Sequence, residues 1–103
     1  MKNVRLAKVL HLKSESETTF SQGFILIDEA NPEQNWNVSL VGVNNIELYK
    51  KDKQEGNDTP LRLFDQQGNT YDGLGTVDFI PNGNNVLLVA KGRLNKNVLQ
   101  EES

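Results

Sequence analysis

Short runs in which apolar and polar residues alternate are the feature that most constrains the fold of this chain. The runs are separated by residues that favour turns, above all Gly, Asn, Asp and Pro. Alternation with a period of two places every second side chain on the same face of an extended strand, whereas an amphipathic helix needs a period near 3.6. The pattern therefore predicts an all-β fold: a single small sandwich or barrel of about seven short, mostly antiparallel strands.

The predicted strands follow one another at short intervals. In chain order they are residues 4–13, 19–28, 36–43, 46–51, 61–64, 70–71, 77–80 and 86–90. The second run has the clearest strand composition, with Phe20, Phe24 and Leu26 facing one way and Ile25 and Ile27 facing the other. Apolar side chains on both faces predict that the second half of this strand is buried on two sides.

The first run, residues 4–13, fits a strand better than a helix. As a strand it places Val4, Leu6 and Leu10 on one face and His11 on the opposite, mixed face. As a helix it has only a short apolar stripe and no good capping residue before it. We therefore predict a strand here.

Polar segments connect these runs. Residues 15–18 read as a polar connection, and residues 44–45, Asn-Asn, predict a tight turn because Asn tolerates the left-handed conformation. Residues 50–59 are the most polar stretch and predict a mobile loop. Residues 65–68 predict a second turn, and residues 81–85 predict a hairpin loop.

The length of the chain suits one domain. A chain of 103 residues is near the common domain size, but only 36% of its residues are hydrophobic, so the core is expected to be thin. Association with partners would supplement such a core. We predict a single β-domain over residues 1–94 and a polar tail over residues 95–103. Residues 50–59 and the tail are the segments that could become ordered on binding.

The residue types present exclude several kinds of chemistry. The chain has no Cys and a single His, so a Cys nucleophile, a disulfide, a thiolate zinc site and a multi-histidine metal site are all excluded. A hydrolytic dyad would need His11 beside a serine, together with an acid such as Asp28. The candidate serines are Ser14, Ser16 and Ser21, and none lies in a nucleophile-elbow motif. We predict a protein that is not an enzyme and holds no metal or cofactor.

The distribution of apolar residues bears on location. The longest fully apolar run, residues 24–27, is far shorter than a membrane span, and charges interrupt the first dozen residues, so no signal peptide is expected. The absence of Cys fits a reducing compartment. The sequence therefore predicts a soluble, cytoplasmic protein with no membrane partner.

Positive charge is concentrated in two places although the net charge is −3. Arg5 and Lys8 lie in the basic first segment, and Lys91 and Arg93 follow the last predicted strand. Pairing with the acidic second segment would explain the first cluster, and a functional basic patch is the alternative. The negative total argues against a protein that holds nucleic acid through its overall field.

Aromatic residues supply the remaining candidate binding positions. Trp36, Tyr49 and Tyr71, if exposed on a sheet, could stack on bases or sugars, each worth about 1–3 kcal/mol for a base. A lone Trp in a domain with a thin core is more often a core anchor. The full set of candidate binding residues is Arg5, Lys8, Trp36, Tyr49, Tyr71, Lys91 and Arg93.

Two loops resemble ligand sites only in part. Asp65, Gln67 and Asn69 have the alternate spacing of a calcium loop, but position 76, where the closing Glu belongs, is Thr. An ordinary hairpin turn is the better interpretation. Glycines within residues 72–75 could cradle an anion, but no helix or Gly-Lys-Ser/Thr motif follows, and a strand break or bulge explains them better.

Three functions remain. The first is a non-catalytic assembly or protein-interaction module that binds a protein partner or itself, as many phage and bacterial accessory or structural proteins do. The second is a barrel related to oligonucleotide-binding domains that holds single-stranded nucleic acid, and the third is a sandwich that binds a sugar or small molecule through Trp36. For the first, we predict binding through an exposed edge strand, with residues 4–13 as the edge.

Overall fold

The computed structural model describes residues 2–31, 34–81 and 84–97. The described chain forms β1 (Lys2–His11), β2 (Ser16–Thr18), β3 (Gln22–Ile27), β4 (Trp36–Val41), α1 (Ile46–Glu55), β5 (Thr59–Asp65), β6 (Thr70–Phe79) and β7 (Val86–Asn97). The predicted all-β class is confirmed.

The strands close into an antiparallel barrel. Their order in the sheet is β2-β1-β3-β4-β7-β6-β5, and β1 also pairs with β5, so six strands form the ring and β2 lies outside it. Two three-stranded meanders, β1-β3-β4 and β5-β6-β7, make up the ring, and α1 connects them. Closure removes the free edges of the six-stranded ring, while β2 remains a short outer strand for which the described structure shows pairing with β1 alone. The barrel rather than the sandwich is the observed form.

The prediction that the first strand is an exposed edge is wrong. Residues 2–5 of β1 pair with β3, residues 9–11 pair with β2, and residues 6–11 pair with β5 on the other side. Residues 9–11 of β1 are therefore paired on both sides, and the rest of the strand is paired on one side. An edge was predicted because four basic residues in one strand are typical of edges, and that composition also suits a strand whose outer face meets water.

A bulge in β1 decides which of its side chains enter the core. The pairing with β5 shifts register between Leu6 and Lys8. Beyond this irregularity the alternation changes phase, so that Val9 and His11 are buried in place of Leu10. The strand prediction for this segment is confirmed, but the predicted placement of His11 on a mixed outer face is wrong.

The barrel interior is filled from every strand of the ring. In β3 and β4 the inward residues alternate as predicted, and Ile25, Val38 and Leu40 have no measurable exposure. The buried apolar residues are Val4, Leu6, Val9, Ile25, Ile27, Trp36, Val38, Leu40, Val43, Ile46, Tyr49, Leu61, Leu63, Tyr71, Val77, Val86, Leu88 and Leu94. This continuous cluster fixes the positions of the surface sites described below.

The predicted fourth strand, residues 46–51, is instead the first half of helix α1. Ile46, Tyr49 and Asp52 are its buried residues, and their spacing of three places them on one helical face. Gly56 ends the helix in the left-handed conformation, with φ of 70°, and its amide donates to carbonyls of the last turn. The alternation of Ile46 and Leu48 was too short to distinguish the two periods.

The polar segments are also more ordered than predicted. Residues 15–18 form a turn and β2, and Glu15 adopts a positive φ of 55° in that turn. Residues 44–45 are not a left-handed turn, since Asn45 has φ of −108° and precedes α1. Residues 50–59 form the end of α1, a short connection and the start of β5. The helix and barrel give these backbones hydrogen-bond partners that local composition does not reveal.

The last two strands extend beyond their predicted ends. β6 is continuous through residues 72–75, and β7 reaches Asn97, which is within the predicted tail. Residues 98–103 of that tail, and residues 82–83 of the predicted hairpin loop, lie outside the described residues. The single helix of the described chain has ten residues and is too short to cross a membrane.

Candidate functional site

The basic residues predicted to bind lie on different walls of the barrel. Arg5 and Lys8 are on the outer surface of β1, and each cation stands over a phenylalanine ring of a neighbouring strand, at 5.7 and 4.7 Å. Lys91 and Arg93 are exposed on β7, which β3 and β4 separate from β1. Barrel closure therefore does not join the two basic clusters into one continuous patch.

The aromatic residues predicted to bind all lie in the core. Trp36, Tyr49 and Tyr71 have exposed fractions of 3%, 0% and 2%. The indole nitrogen of Trp36 donates to the carbonyl of Gly92 at 3.2 Å, and the Tyr71 hydroxyl donates to Asp65 at 3.3 Å. Burial raises the pKa of both tyrosines to about 12. The rings therefore offer no stacking surface, and Trp36 is a core anchor.

In the turn between β5 and β6, the Asp65 oxygens of the suggested calcium loop accept hydrogen bonds from residues of the same turn. Asp65 accepts from the backbone amides of Gln67 and Asn69, both at 2.9 Å, and from the Asn69 side chain at 3.0 Å. Burial acts to raise the pKa of Asp65, but hydrogen bonds from Asn69, Gln67 and Tyr71 outweigh it and hold this pKa below its usual value. The interpretation as a hairpin turn is confirmed, because the carboxylate serves as the cap of that turn.

The glycine cluster of residues 72–75 is a bulged part of β6. The pairing of β6 with β7 shifts register between Gly73 and Gly75, as the interpretation as a strand irregularity predicted. A Cβ at Gly73 would lie 2.9 Å from the indole ring of Trp36. This glycine is therefore needed for the close approach of the strand to Trp36.

A buried polar network joins the first hairpin to α1 and β5. Asp52 accepts from His11 Nε2 at 2.9 Å, from Lys13 Nζ at 2.9 Å and from the Thr59 hydroxyl at 2.7 Å. Burial acts to raise the pKa of Asp52, but the bonds from Thr59, Lys13 and His11 outweigh it and lower this pKa. Asp52 is therefore a carboxylate that holds three parts of the chain together.

Ser14 extends this network to the surface. Its hydroxyl lies 2.8 Å from His11 Nδ1 and 3.3 Å from the His11 carbonyl oxygen, and its backbone amide donates to Nδ1 at 3.4 Å. Because Nε2 faces the Asp52 carboxylate, Nε2 carries the proton and Nδ1 is the acceptor. The chain Ser14–His11–Asp52 thus has the connectivity of a nucleophile, a base and an orienting acid.

A pocket of about 250 Å³ opens beside Ser14. It is lined by His11, Lys13, Ser14, Leu48, Lys51, Asp52, Glu55 and Asn57. The residue missed by the sequence analysis is Asp52, since Asp28 was considered as the acid. Asp28 instead caps its own loop by accepting from the amide of Ala30 at 3.0 Å. No local pattern identifies Asp52, because it lies 41 positions from His11.

A second candidate site covers the outer surface of the barrel around β4. Strand register aligns outward side chains into two rows, Arg5–Phe24–Ser39–Leu87–Phe79 and Asn3–Leu26–Asn37–Val89–Thr76. We name the apolar part of these rows, Phe24, Leu26, Leu87, Val89 and Phe79, the β4 face. Phe79 is 56% exposed and the other four are half-buried. Contiguous apolar residues at the surface are typical of interaction sites.

A polar atom without a partner lies in the middle of the β4 face. Asn37 stands between Leu26 and Val89 in its row, and its side-chain oxygen has no hydrogen-bond partner in the described structure. Buried polar atoms are nearly always bonded, so an unpartnered one calls for an explanation. Asn37 is therefore a polar residue at the centre of the β4 face whose oxygen lacks an internal partner.

The sequence contains a signal for the β4 face, namely strands that are apolar on both faces. Both β3 and the start of β7 have apolar residues on their two faces. For β3 this pattern predicted burial on two sides, but no other element of the described chain covers Phe24 and Leu26 fully. A strand that is apolar on both faces is also typical of one that binds another molecule.

No family model, curated protein or solved structure matches this chain. Function is therefore inferred from two sites, the β4 face and the Ser14–His11–Asp52 network.

Proposed function

We propose that this protein is a non-catalytic assembly module that associates with a second copy of itself through the β4 face. The observation that supports this proposal is the group of outward apolar residues on β3, β7 and β6, which lie on either side of Ser39 and Asn37 of β4, with Phe79 more than half exposed. Burial of apolar area at about 25 cal/mol per Å² favours covering such a face. A reducing compartment, the cytoplasm, suits the absence of Cys.

The partner is a second copy because the inner apolar residues of each row flank β4 on both sides, Phe24 with Leu87 and Leu26 with Val89. In the first row Ser39 is central, Phe24 and Leu87 are one strand away, and Arg5 and Phe79 are two strands away. A two-fold axis along β4 places Phe24 of one copy opposite Leu87 of the other. The second row repeats the pattern, with Asn37 at its centre. Self-complementary patches of this kind are what two-fold interfaces require.

Charge complementarity supports the same arrangement. The rim of the face at β1 carries Arg5, and the rim at β6 carries the exposed Asp78 beside Phe79. The two-fold axis places Arg5 of each copy opposite Phe79 of the other, and Asp78 is the next residue along the chain from Phe79. The two Asn37 amides meet near the axis, where each can donate to the oxygen of the other.

The two other functions have less support. Sugar binding depended on an exposed Trp36, and nucleic-acid binding depended on exposed aromatic rings together with basic residues. Trp36, Tyr49 and Tyr71 are buried, and the two basic clusters lie on different walls of the barrel. The proposed mode of assembly also differs from edge-strand pairing, since β1 is paired on both sides. A sheet face, rather than a strand edge, is the surface that this barrel offers to a partner.

Sedimentation equilibrium with the Leu87→Asp variant tests the proposal. The natural protein is expected to form a dimer, and Leu87→Asp to be a folded monomer, because a carboxylate would be buried in an apolar interface. The matched control is Phe64→Asp, which alters a half-buried outward residue on the opposite wall. A monomeric natural protein, or equal loss of dimer in both variants, would refute the β4 face.

Charge reversal tests the orientation of the two copies. Arg5→Glu or Asp78→Arg alone is expected to weaken the dimer, and the double variant to restore it, because the two rims meet only under the two-fold axis along β4. Additive losses in the double variant would exclude this axis.

A further inference from the structure

We propose that Ser14 is a nucleophilic acceptor of acyl groups from activated esters or thioesters, with His11 as its base. The site is separate from the β4 face and does not depend on assembly. It is a site of covalent modification at the open end of a buried network, and no motif in the sequence marks it.

Geometry supplies the activation. The Ser14 hydroxyl and His11 Nδ1 are 2.8 Å apart, which is within direct proton-transfer reach. His11 is 2% exposed, so its ring is held in place, and an edge-on contact with the Tyr49 ring, with centroids 5.2 Å apart, fixes it further. The base is therefore oriented before any acyl donor arrives.

Asp52 determines which nitrogen of His11 can act. Its carboxylate receives Nε2–H, which leaves the lone pair of Nδ1 directed to Ser14. When His11 takes the serine proton, the resulting imidazolium lies against the carboxylate and is stabilised by it. Thr59 and Lys13 keep that carboxylate in position.

The pocket beside Ser14 sets the size and charge of the donor. Its volume of about 250 Å³ admits a short acyl chain, and Leu48 supplies an apolar wall. Lys51 also lines the pocket, and its positive charge can stabilise the negative charge that develops on the carbonyl oxygen. The pocket therefore favours small acyl groups on an anionic or neutral leaving group.

The reaction conserves every atom of its two reactants. Ser14 Oγ forms a bond to the carbonyl carbon while its proton passes to His11 Nδ1. The bond from that carbon to the oxygen or sulfur of the leaving group breaks, and the electron pair departs with the leaving group. His11 then returns its proton to the leaving group, and the product is an ester at Ser14.

Acetylation by p-nitrophenyl acetate tests this assignment, with peptide mass spectrometry to locate the acetyl group. In the folded protein Ser14 is expected to be acetylated at least roughly tenfold faster than Ser16 or Ser21. This threshold is conservative, because general base catalysis usually accelerates a reaction by more than about tenfold. Ser14→Ala is expected to abolish the fast release of nitrophenolate, whereas Ser16→Ala leaves it unchanged. Unfolding in urea is expected to reduce Ser14 to the rate of the other serines. Equal rates in the folded protein, or a rate that survives urea, would overturn the proposal.

Discussion

Asp52 connects three segments that are distant in sequence, through His11, Lys13 and Thr59. A carboxylate this buried is stable only when each oxygen has donors, and here each oxygen has at least one. Removing it leaves the His11 nitrogen and the Thr59 hydroxyl buried without an acceptor. The contribution of the network to the free energy of unfolding therefore depends mainly on Asp52.

We expect Asp52→Ala to lower the free energy of unfolding by about 3 kcal/mol, because a broken buried pair leaves unpaired groups behind. Urea titration followed by Trp36 fluorescence measures this change. Glu55→Ala, three residues along the same helix but exposed, is the control and is expected to change it by less than about 0.5 kcal/mol. Equal effects of the two substitutions would show that the network does not stabilise the fold.

At the end of helix α1, the energetic cost of a left-handed backbone can be measured without a steric clash. Gly56 has φ of 70°, and a Cβ at this position would have nothing within 4 Å. Gly42 has a similar φ of 72°, but a Cβ there would lie 2.5 Å from the Ser21 hydroxyl oxygen. The two glycines separate the cost of a left-handed backbone from the cost of a steric clash.

Gly56→Ala is expected to destabilise the protein by about 1 kcal/mol, since only the backbone conformation is unfavourable for Ala. Gly42→Ala is expected to cost more, because the Ser21 side chain must also move. Thermal unfolding by circular dichroism compares the two variants, with Gln54→Ala in the exposed part of α1 as the control. A Gly56→Ala variant as destabilised as Gly42→Ala would contradict this separation.

For the whole molecule, two acidic groups make stability depend on pH. The pKa values of Asp52 and Asp65 both lie below the ordinary 3.8 in the folded state. The unfolded chain therefore binds more protons than the folded one in this range, and stability rises with pH. The stabilisation is complete above the unfolded pKa and is lost as pH falls through the folded values.

Unfolding in urea at a series of pH values from neutral to below 3.8 tests this dependence. The free energy of unfolding is expected to fall as pH decreases, and the Asp52→Asn, Asp65→Asn double variant is expected to show a smaller fall. The control carries Glu47→Gln and Glu55→Gln, two exposed carboxylates of α1. A pH dependence unchanged in the aspartate variant would assign acid sensitivity to other groups.

Local pattern was sufficient for some elements and insufficient for others. Alternation in β4 is long enough to define which side chains enter the core, and Asp65 with Gly68 defines a turn within four residues. Both faces of β3 are apolar, so its pattern predicted burial on two sides and did not distinguish the core face from the outer face. A bulge interrupts the alternation in β1, and no residue type in this segment predicts the bulge. In α1 only two alternating residues were available, and burial of Tyr49 against the barrel decided the conformation.

The sequence by itself determined the all-β class, the single domain-sized core and the residue chemistry available, because these depend on composition and on spacing between near neighbours. The tertiary structure decided that β1 pairs on both sides, that His11 meets Asp52 41 positions away, and that Phe24 and Leu87 share an outer face. These contacts depend on strand order and register across a closed barrel. Strand order and register follow from the packing of the whole chain, and no short segment contains them.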